Sequence, residues 1–410
     1  MVEGMILVIV LGVFMVEAFL LFLNYKQKDL DLPENVRDIY DEERYQKWRN
    51  YSAENTRLLF AKRTVNLVLI LVFLFAGIFS WLEGVAGNMT ESLLLKTLIF
   101  LGLYETLHIL VGLPFSYYQT FSIEERYGFN KTSKRTFVFD KLKSFLLMLV
   151  FGGGLVTLLF NVYGVFEENL AFFVLIAWAS IMLIMIVFSY LYTSVFIKIF
   201  NKIEPLEEGE TREKIEALAD EIGFQVKAIS KMDASKRSTK LNAFFSGYGK
   251  QKEIVLFDTL LEKMSDEEIL SVLAHEFAHG KHKDVLRMFA EQAVQIGLYM
   301  GLFAVVLTSG ALYDAFGISD GFFGFGLIMF ALLIRPLDFL FGLLTSYLSR
   351  KAEYKADYYS VQLLGKESMI SALKLLARES LSDLHPHPLY VGVYYSHPPM
   401  SLRIGAIESL

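Results

Sequence analysis

Long apolar stretches alternate with polar segments along the whole chain. A helix needs about 20 mostly apolar residues to cross the hydrocarbon core of a bilayer. Seven stretches reach or approach this length, namely residues 5–23, 65–82, 93–113, 145–163, 170–197, 293–316 and 322–348. The pattern predicts an all-α polytopic membrane protein with seven transmembrane helices.

Lysine and arginine are distributed unevenly among the segments between these spans. The segments after spans one, three, five and seven carry them, whereas residues 84–92, 164–169 and 317–321 carry none. Because basic residues are retained on the cytoplasmic side, we expect the N-terminus outside and the C-terminus in the cytoplasm. The predicted organisation is spans one to five in residues 1–197, a cytoplasmic segment in 198–292, spans six and seven in 293–348, and a cytoplasmic tail in 349–410.

Composition narrows the chemistry that the chain can support. Hydrophobic residues make up 54% of the chain, and its net charge of −6 gives no reason to expect a nucleic-acid partner. The chain contains no cysteine, so any metal must be held by histidine, aspartate or glutamate. The absence of cysteine and the short loops favour a prokaryotic plasma membrane, with the endoplasmic reticulum membrane as the alternative.

Short alternating stretches predict strands in the cytoplasmic segment. Residues 224–229, 241–245 and 253–257 have the apolar and polar alternation typical of strands. A glycine-rich turn at residues 247–252 is expected to join the last two strands into a small β ribbon. Such a ribbon leaves an open edge that an extended peptide can join.

The stretch SDEEILSVLAHEFAHGKHKD carries the strongest chemical signal. Ser265 and Glu268 have the spacing of a capping box, so a helix is predicted to begin there. His275 and His279 then lie one turn apart, a spacing that suits two imidazole ligands of one zinc ion, with Glu276 placed to activate a water. The alternative is a solvated helix face that continues into the basic residues after His279.

A second helical stretch offers a third ligand. In EYKAD, Glu353 and Asp357 are four residues apart and share one helix face. Glu353 suits a zinc ligand and Asp357 suits a group that orients a ligand histidine. The alternative is a surface helix whose carboxylates pair with Lys351 and Lys355. Both helices flank adjacent spans at the cytoplasmic boundary, which favours their meeting.

The tail sequence SHPPMSLR contains a hydrogen-bond donor and a cation. His397 and Arg403 have the chemistry to stabilise an oxyanion or to bind a substrate carboxylate. The alternative is that the two prolines end a strand or loop and that Arg403 caps or solvates the last helix.

Five segments in this order resemble the type I CAAX prenyl proteases, which are integral-membrane zinc endopeptidases with seven spans. They are LPFSYYQTFSIEERYGFNKTS, SKRSTKLNAFFSGYGKQKEIVLFDTLL, the HEFAH helix, EYKAD and SHPPMSLR. The resemblance implies one zinc ion held by His275, His279 and Glu353. It implies Glu276 as general base and acid, Asn242 on the edge that aligns the substrate, and His397 and Arg403 facing the reacting peptide. It also implies a chamber enclosed by the membrane helices, with the zinc at its cytoplasmic end.

Ionisable residues inside the predicted spans agree with a polar interior, because they are costly in lipid. They are Glu17, Glu105, His108, Arg335 and Asp338. Mutual neutralisation of Arg335 with Asp338, and of Glu105 with His108, is the simpler reading of each pair. Five such residues over three spans favour a hydrated chamber.

The sequence therefore predicts a gluzincin-type zinc metalloendopeptidase in a lipid bilayer. By resemblance, its substrate is the C-terminal end of a prenylated CAAX protein. One rival is a general quality-control protease that cleaves peptides or proteins regardless of prenylation. A rival of another class is a non-catalytic pore or transporter with a structural zinc.

Overall fold

The computed structural model describes residues 1–246, 252–319 and 321–410. Within them, six helical segments are long and apolar enough to cross a membrane, and a helix pair bent by 48° counts as a seventh. The segments are Val2–Gln27, Glu42–Phe75, Leu93–Tyr127, Lys134–Phe166, Leu170–Phe200, Asp284–Leu307 and the bent pair Phe323–Leu333 with Arg335–Leu364. The predicted helical polytopic fold is confirmed.

The α-helices are numbered in chain order. The first nine are α1 (Val2–Gln27), α2 (Glu42–Phe75), α3 (Ile78–Met89), α4 (Leu93–Tyr118), α5 (Glu125–Tyr127), α6 (Lys134–Leu147), α7 (Gly153–Phe166), α8 (Leu170–Leu191) and α9 (Lys198–Phe200). The next five are α10 (Glu210–Glu221), α11 (Asp258–Lys263), α12 (Asp266–Lys281), α13 (Asp284–Leu307) and α14 (Gly310–Ala315). The last five are α15 (Phe323–Leu333), α16 (Arg335–Leu364), α17 (Lys366–Ser380), α18 (Pro388–Tyr394) and α19 (Met400–Glu408). Wider π-helical turns at Gln119–Glu124, Met148–Gly152 and Tyr192–Ile197 lie within spans three, four and five.

Three predicted spans end or bend differently in the structure. The second ends at Phe75, because Gly77 takes a φ of +69° and the chain restarts as α3. The sixth likewise divides into α13 and α14, and the seventh bends at Ile334. Hydropathy averaged over a whole span does not reveal these breaks, since mostly apolar stretches lie on both sides of each, although Arg335 directly follows the third.

The predicted two-stranded ribbon is a mixed four-stranded sheet. Its strands are β1 (Ile203–Pro205), β2 (Ala228–Met232), β3 (Ala243–Ser246) and β4 (Glu253–Phe257), in the order β1-β2-β4-β3. β2 and β4 are parallel, and the other two pairs are antiparallel. β4 has the predicted bounds and β3 stays at an edge. The predicted turn at residues 247–252 lies outside the described residues except for Lys252.

The predicted strand at residues 224–229 is displaced along the chain to β2. Phe224 instead packs its ring on Phe277 of α12, with 4.4 Å between centroids. Ile254 and Leu256 of β4 are fully buried in the same apolar core as Phe277. Because burying such side chains is the dominant stabilising term, this core fixes α12 against the sheet.

Arg335 and Asp338 do not pair with each other as the sequence suggested. Arg335 lies 3.6 Å from Glu17, and Arg63 approaches the same carboxylate at 3.6 Å. Asp338 instead accepts a hydrogen bond of 2.8 Å from the Tyr299 hydroxyl. Glu17 thus links spans one, two and seven through ion pairs, and Asp338 links spans six and seven through a hydrogen bond.

Candidate active site

α12 begins at the predicted capping box. The Ser265 hydroxyl accepts a hydrogen bond of 3.3 Å from the Glu268 amide, and the Ser265 amide donates one of 3.0 Å to the Glu268 carboxylate. These bonds satisfy amides that the first helical turn leaves unpaired. Leu273 and Phe277 are fully buried in the core, so the remaining face of the helix is free to carry His275 and His279.

α16 crosses α12 at the level of the histidines. The fully buried Ser360 hydroxyl of α16 donates a hydrogen bond of 2.8 Å to the carbonyl of Ser271 in α12. This bond ties the two helices together one turn before His275 and about two turns after Glu353. The packing brings Glu353 against the two histidines, as their places beside adjacent spans predicted.

Three side chains converge on one point. The Nε2 atoms of His275 and His279 are 3.3 Å apart, and they lie 3.4 Å and 3.3 Å from the two carboxylate oxygens of Glu353. Zinc with ligand bonds of about 2.0–2.1 Å in a tetrahedral arrangement separates neighbouring ligand atoms by about 3.3 Å. The observed spacing therefore fits one tetrahedral ion.

The Glu353 carboxylate also fits a bound cation. Its Oε2 atom is buried and makes no well-aligned hydrogen bond, although His397 Nδ1 lies 2.8 Å away. A buried carboxylate oxygen without a good partner is costly. With two imidazoles and one carboxylate, the donor set is one that zinc uses in catalytic sites with an open fourth position.

His275 is held from behind by a buried ion pair. Its Nδ1 atom lies 2.9 Å from Asp357 Oδ1, so the ring donates there and turns Nε2 toward Glu353. Arg403 donates two hydrogen bonds to Asp357, from Nε at 2.8 Å and from Nη2 at 2.5 Å. Arg403 and Asp357 are both buried. The structure thus places Arg403 behind His275.

His279 is held by a residue that the sequence reasoning missed. Its Nδ1 atom lies 3.0 Å from Asp284 Oδ2, and Arg287 Nη1 lies 3.5 Å from the other oxygen of Asp284. α12 ends at Lys281, and Lys283 adopts a φ of +57° before α13 begins at Asp284. This turn brings the first residue of α13 back to His279. The sequence does contain a signal for this contact, namely an acidic residue five positions after His279. It was overlooked because the HEFAH helix was expected to continue without a break into span six.

Two family models divide the chain between them. The model of the CAAX prenyl protease N-terminal region, with five membrane helices, matches residues 21–202, and that of peptidase family M48 matches residues 205–410. The chain belongs to peptidase family M48. The M48 peptidase described here is 32% identical to CAAX prenyl protease 1 of Saccharomyces cerevisiae over 96% of this chain and 92% of the yeast protein.

Further relatives of this M48 peptidase agree over nearly the whole length. A CAAX prenyl protease 1 homolog of Arabidopsis thaliana is 32% identical over 92% of this chain and 90% of the plant protein. The crystal structure of S. mikatae Ste24p superposes with a TM-score of 0.94 at 30% identity, covering 99% of both chains. The arrangement of membrane helices and sheet is therefore that of a metal-dependent membrane protease.

The electrostatics of this M48 site suit proton transfer. Burial raises the pKa of the Glu276 carboxyl, against the opposing effect of His275 and His279. Burial lowers the pKa of His279, but hydrogen bonds to Glu353 and Asp284 outweigh it and raise the pKa to about 9. For His275, the bonds to Asp357 and Glu353 likewise outweigh burial and raise the pKa.

The two remaining predicted residues lie at the margin of the cluster. The His397 side chain is 63% exposed, and its Nδ1 atom faces Glu353. Asn242 precedes the edge strand β3, where its side-chain oxygen accepts a hydrogen bond of 2.9 Å from the Ala243 amide. The structure therefore brings His397 to the carboxylate, whereas the bonds of Asn242 stay within the sheet.

Proposed function

We propose that this M48 peptidase is a zinc endopeptidase that cleaves near the C-terminus of prenylated CAAX proteins. The observation that carries the proposal is the convergence of His275, His279 and Glu353 beside Glu276, in a chain that resembles proteins named CAAX prenyl protease 1 over almost its full length. Membership of a peptidase family removes the alternative of a non-catalytic pore.

His275, His279 and Glu353 would hold the zinc ion. A zinc ion held there would supply Lewis-acid chemistry for the activation of water and of the scissile carbonyl. Asp357 and Asp284 orient the two imidazoles by accepting hydrogen bonds from their Nδ1 atoms.

Glu276 is the proposed general base and acid. It takes a proton from the attacking water and passes it to the leaving amine, and its raised pKa suits both steps. His397, at the exposed margin, donates a hydrogen bond to the reacting carbonyl group. Arg403 acts through Asp357 and not on the peptide, which refines the role expected for it.

The edge strand β3 is the proposed seat of the substrate backbone. β3 is an edge strand of the sheet and packs near α12. The Phe245 ring comes so close to Gly280 of α12 that a Cβ atom added there would lie 3.5 Å from it. An extended peptide added to this edge gains main-chain hydrogen bonds. Asn242, at the start of the edge, fixes where the added strand begins.

A matched pair of peptides tests this function. Prenylated and non-prenylated forms of one CAAX peptide are incubated with the purified protein in lipid. We expect faster cleavage of the prenylated form, and Glu276→Gln to lower that rate at least about 100-fold while metal content stays at the wild-type level. Equal rates on the two peptides would assign a general membrane-protein protease instead. An undiminished rate in Glu276→Gln would remove Glu276 from the mechanism.

The proposed topology has the N-terminus outside and the metal site in the cytoplasm, with the four segments divided as the sequence predicts. The chain contains no cysteine, so single cysteines introduced at exposed Asn88 and Glu208 report the two sides directly. We expect an impermeant maleimide to label position 88 in intact cells and position 208 only after permeabilisation. The reverse pattern would invert the topology. A prokaryotic host and the absence of a nucleic-acid partner stay predictions.

A further inference from the structure

A cavity with mixed polar and apolar lining lies between the membrane helices and the tail, apart from the metal cluster. Its volume is 560 Å³, and its lining comes from the end of α1, from α2, from the end of α4 and from the segment around α18. None of the metal-cluster side chains described above belongs to this lining. The cavity therefore requires an explanation that the peptidase chemistry does not supply.

Asp383 brings a carboxylate to this cavity, and Lys62, which also lines the cavity, forms no ion pair with it. Its carboxylate accepts hydrogen bonds from the Asn24 amide at 3.2 Å and from the His385 backbone amide at 3.3 Å. No lysine, arginine or histidine among the described residues forms an ion pair with it. Burial raises the pKa of Asp383 to about 6, so the group is still ionised at neutral pH. An enclosed carboxylate of this kind favours a cationic ligand.

The rest of the lining suits a small organic cation. Five aromatic side chains line the cavity, namely Trp48, Tyr51, Phe115, Tyr390 and Tyr395. Aromatic faces attract ammonium groups through their quadrupoles. Asn55 and Gln119 add amide groups, and together with Asp383 they provide acceptors for a cation that carries N–H donors.

An apolar groove adjoins the cavity. It encloses 260 Å³ between α1 and α2 and shares Leu21 and Thr56 with the cavity. Phe22 and Phe60, which also line it, are 54% and 47% exposed. Both helices belong to the membrane-capable set, so the open groove faces an environment that supplies acyl chains.

The groove also carries a positive charge without a carboxylate partner. Arg57 lines it, is exposed and forms no ion pair with any described residue. Lys28 lies beside it over the Tyr25 ring, with Nζ 3.5 Å from the centroid. Cations at this level, where a span meets its basic loop, are placed to contact lipid phosphates.

We propose that the cavity and the groove form one binding site for phosphatidylethanolamine. The primary ammonium group faces Asp383 and the aromatic rings, the phosphate contacts Arg57, and an acyl chain follows Phe22 and Phe60. The opposite charges of Asp383 and Arg57 match those of the zwitterionic headgroup, and the apolar groove matches its tail.

Native mass spectrometry of the full chain tests this site. The protein is released from nanodiscs that contain equal amounts of phosphatidylethanolamine, phosphatidylcholine and phosphatidylglycerol, and the retained lipids are counted. We expect the wild type to retain phosphatidylethanolamine over phosphatidylcholine by about tenfold, since only the primary ammonium donates hydrogen bonds to the carboxylate. Asp383→Asn is expected to abolish this preference, and the exposed Asp314→Asn to preserve it.

A second variant keeps the test informative if Asp383→Asn does not fold. Arg57 is exposed, so Arg57→Gln is expected to fold normally and to lower retention of all three lipids about tenfold. Lys47→Gln, which removes an exposed cation from the same helix, serves as the control and is expected to change nothing. Equal retention of the three lipids by the wild type would overturn the proposal. So would an undiminished preference for phosphatidylethanolamine in a folded Asp383→Asn variant.

Discussion

The two histidines of the metal cluster are supported in different ways. His275 is held by Asp357 and Arg403, which come from α16 and α19 and are both buried. His279 is held by Asp284, beside Arg287, and both follow it closely along the chain at the start of α13. We call the first set the buried arm and the second the local arm.

The two arms differ in how far water reaches the arginine that remains when the aspartate is substituted. The Arg403 side chain is 8% exposed, whereas that of Arg287 is 33% exposed. Removal of the aspartate leaves the Arg403 charge away from water, whereas the Arg287 charge stays partly solvated although Asp284 itself is buried. The buried arm should therefore couple metal binding to folding, and the local arm should tune the metal site alone.

The largest expected effect comes from Asp357→Asn, which breaks the buried arm. Arg403 then loses its closest carboxylate and keeps only the longer contact of 3.6 Å with Glu353 Oε2, and we expect a loss of about 3–5 kcal/mol in the free energy of unfolding. We also expect metal affinity to fall about 10–100-fold, because the acceptor that orients His275 loses its negative charge. Thermal unfolding in detergent and chelator competition measure the two effects separately.

A double variant separates charge from packing in this arm. Asp357→Asn with Arg403→Met removes both charges and is expected to recover part of the stability lost in the single variant. Metal affinity is expected to stay low, since His275 still lacks the charged carboxylate that orients it. A double variant less stable than Asp357→Asn would show that Arg403 stabilises the fold independently of Asp357.

A smaller effect is expected from Asp284→Asn in the local arm. Metal affinity should fall about tenfold, while the free energy of unfolding changes by less than about 1 kcal/mol, because Arg287 remains solvated. The exposed Asp314→Asn is the control for both measurements. A loss of stability as large as that of Asp357→Asn would erase the distinction between the arms.

The site could be predicted from the sequence where local spacing and topology agree. The capping box at Ser265 and the spacing of His275 and His279 depend only on helical geometry. The approach of Glu353 to the histidines was predicted because their two helices flank adjacent spans. In the structure, its carboxylate oxygens lie within 3.4 Å of the histidine Nε2 atoms.

Features that depend on a break in a helix or on distant packing were not predictable in the same way. Asp284 was missed because α12 was expected to run into span six, whereas Lys283 interrupts it with a positive φ. The burial of Arg403 arises from the packing of α19 against α16, which no local pattern reports. The parallel pairing of β2 with β4 is also non-local, and β1 has three residues, too few for a periodic signal.

The pH dependence of metal binding compares the arms in another way. In the metal-free protein, Glu353 and Asp284 raise the pKa of His279 to about 9 from 6.5, so its protonated form stabilises the fold below pH 6.5 and that contribution is lost as the pH rises through 9. Metal binding requires the neutral imidazole. We therefore expect metal affinity to increase from pH 6 to about 9 and then to level off.

Removal of the Asp284 charge should move this plateau. Asp284→Asn removes one of the groups that raise the pKa of His279, so the affinity is expected to level off at a lower pH. Chelator competition at several pH values between 6 and 10 measures the shift. An unchanged plateau would mean that Glu353 alone holds the proton on His279.

The smallest expected effect is that of Arg287→Gln, at the outer end of the local arm. Arg287 also contacts Glu291 at 3.2 Å and the Leu348 carbonyl at 3.2 Å, so its charge is shared among several acceptors. We expect metal affinity to change less than about threefold, and the change to shrink at high salt, as is usual for half-exposed pairs. Arg403→Gln is the matched change in the buried arm and should lower both affinity and stability at every salt concentration. If the two substitutions had equal effects, burial would not determine how each arm supports its histidine.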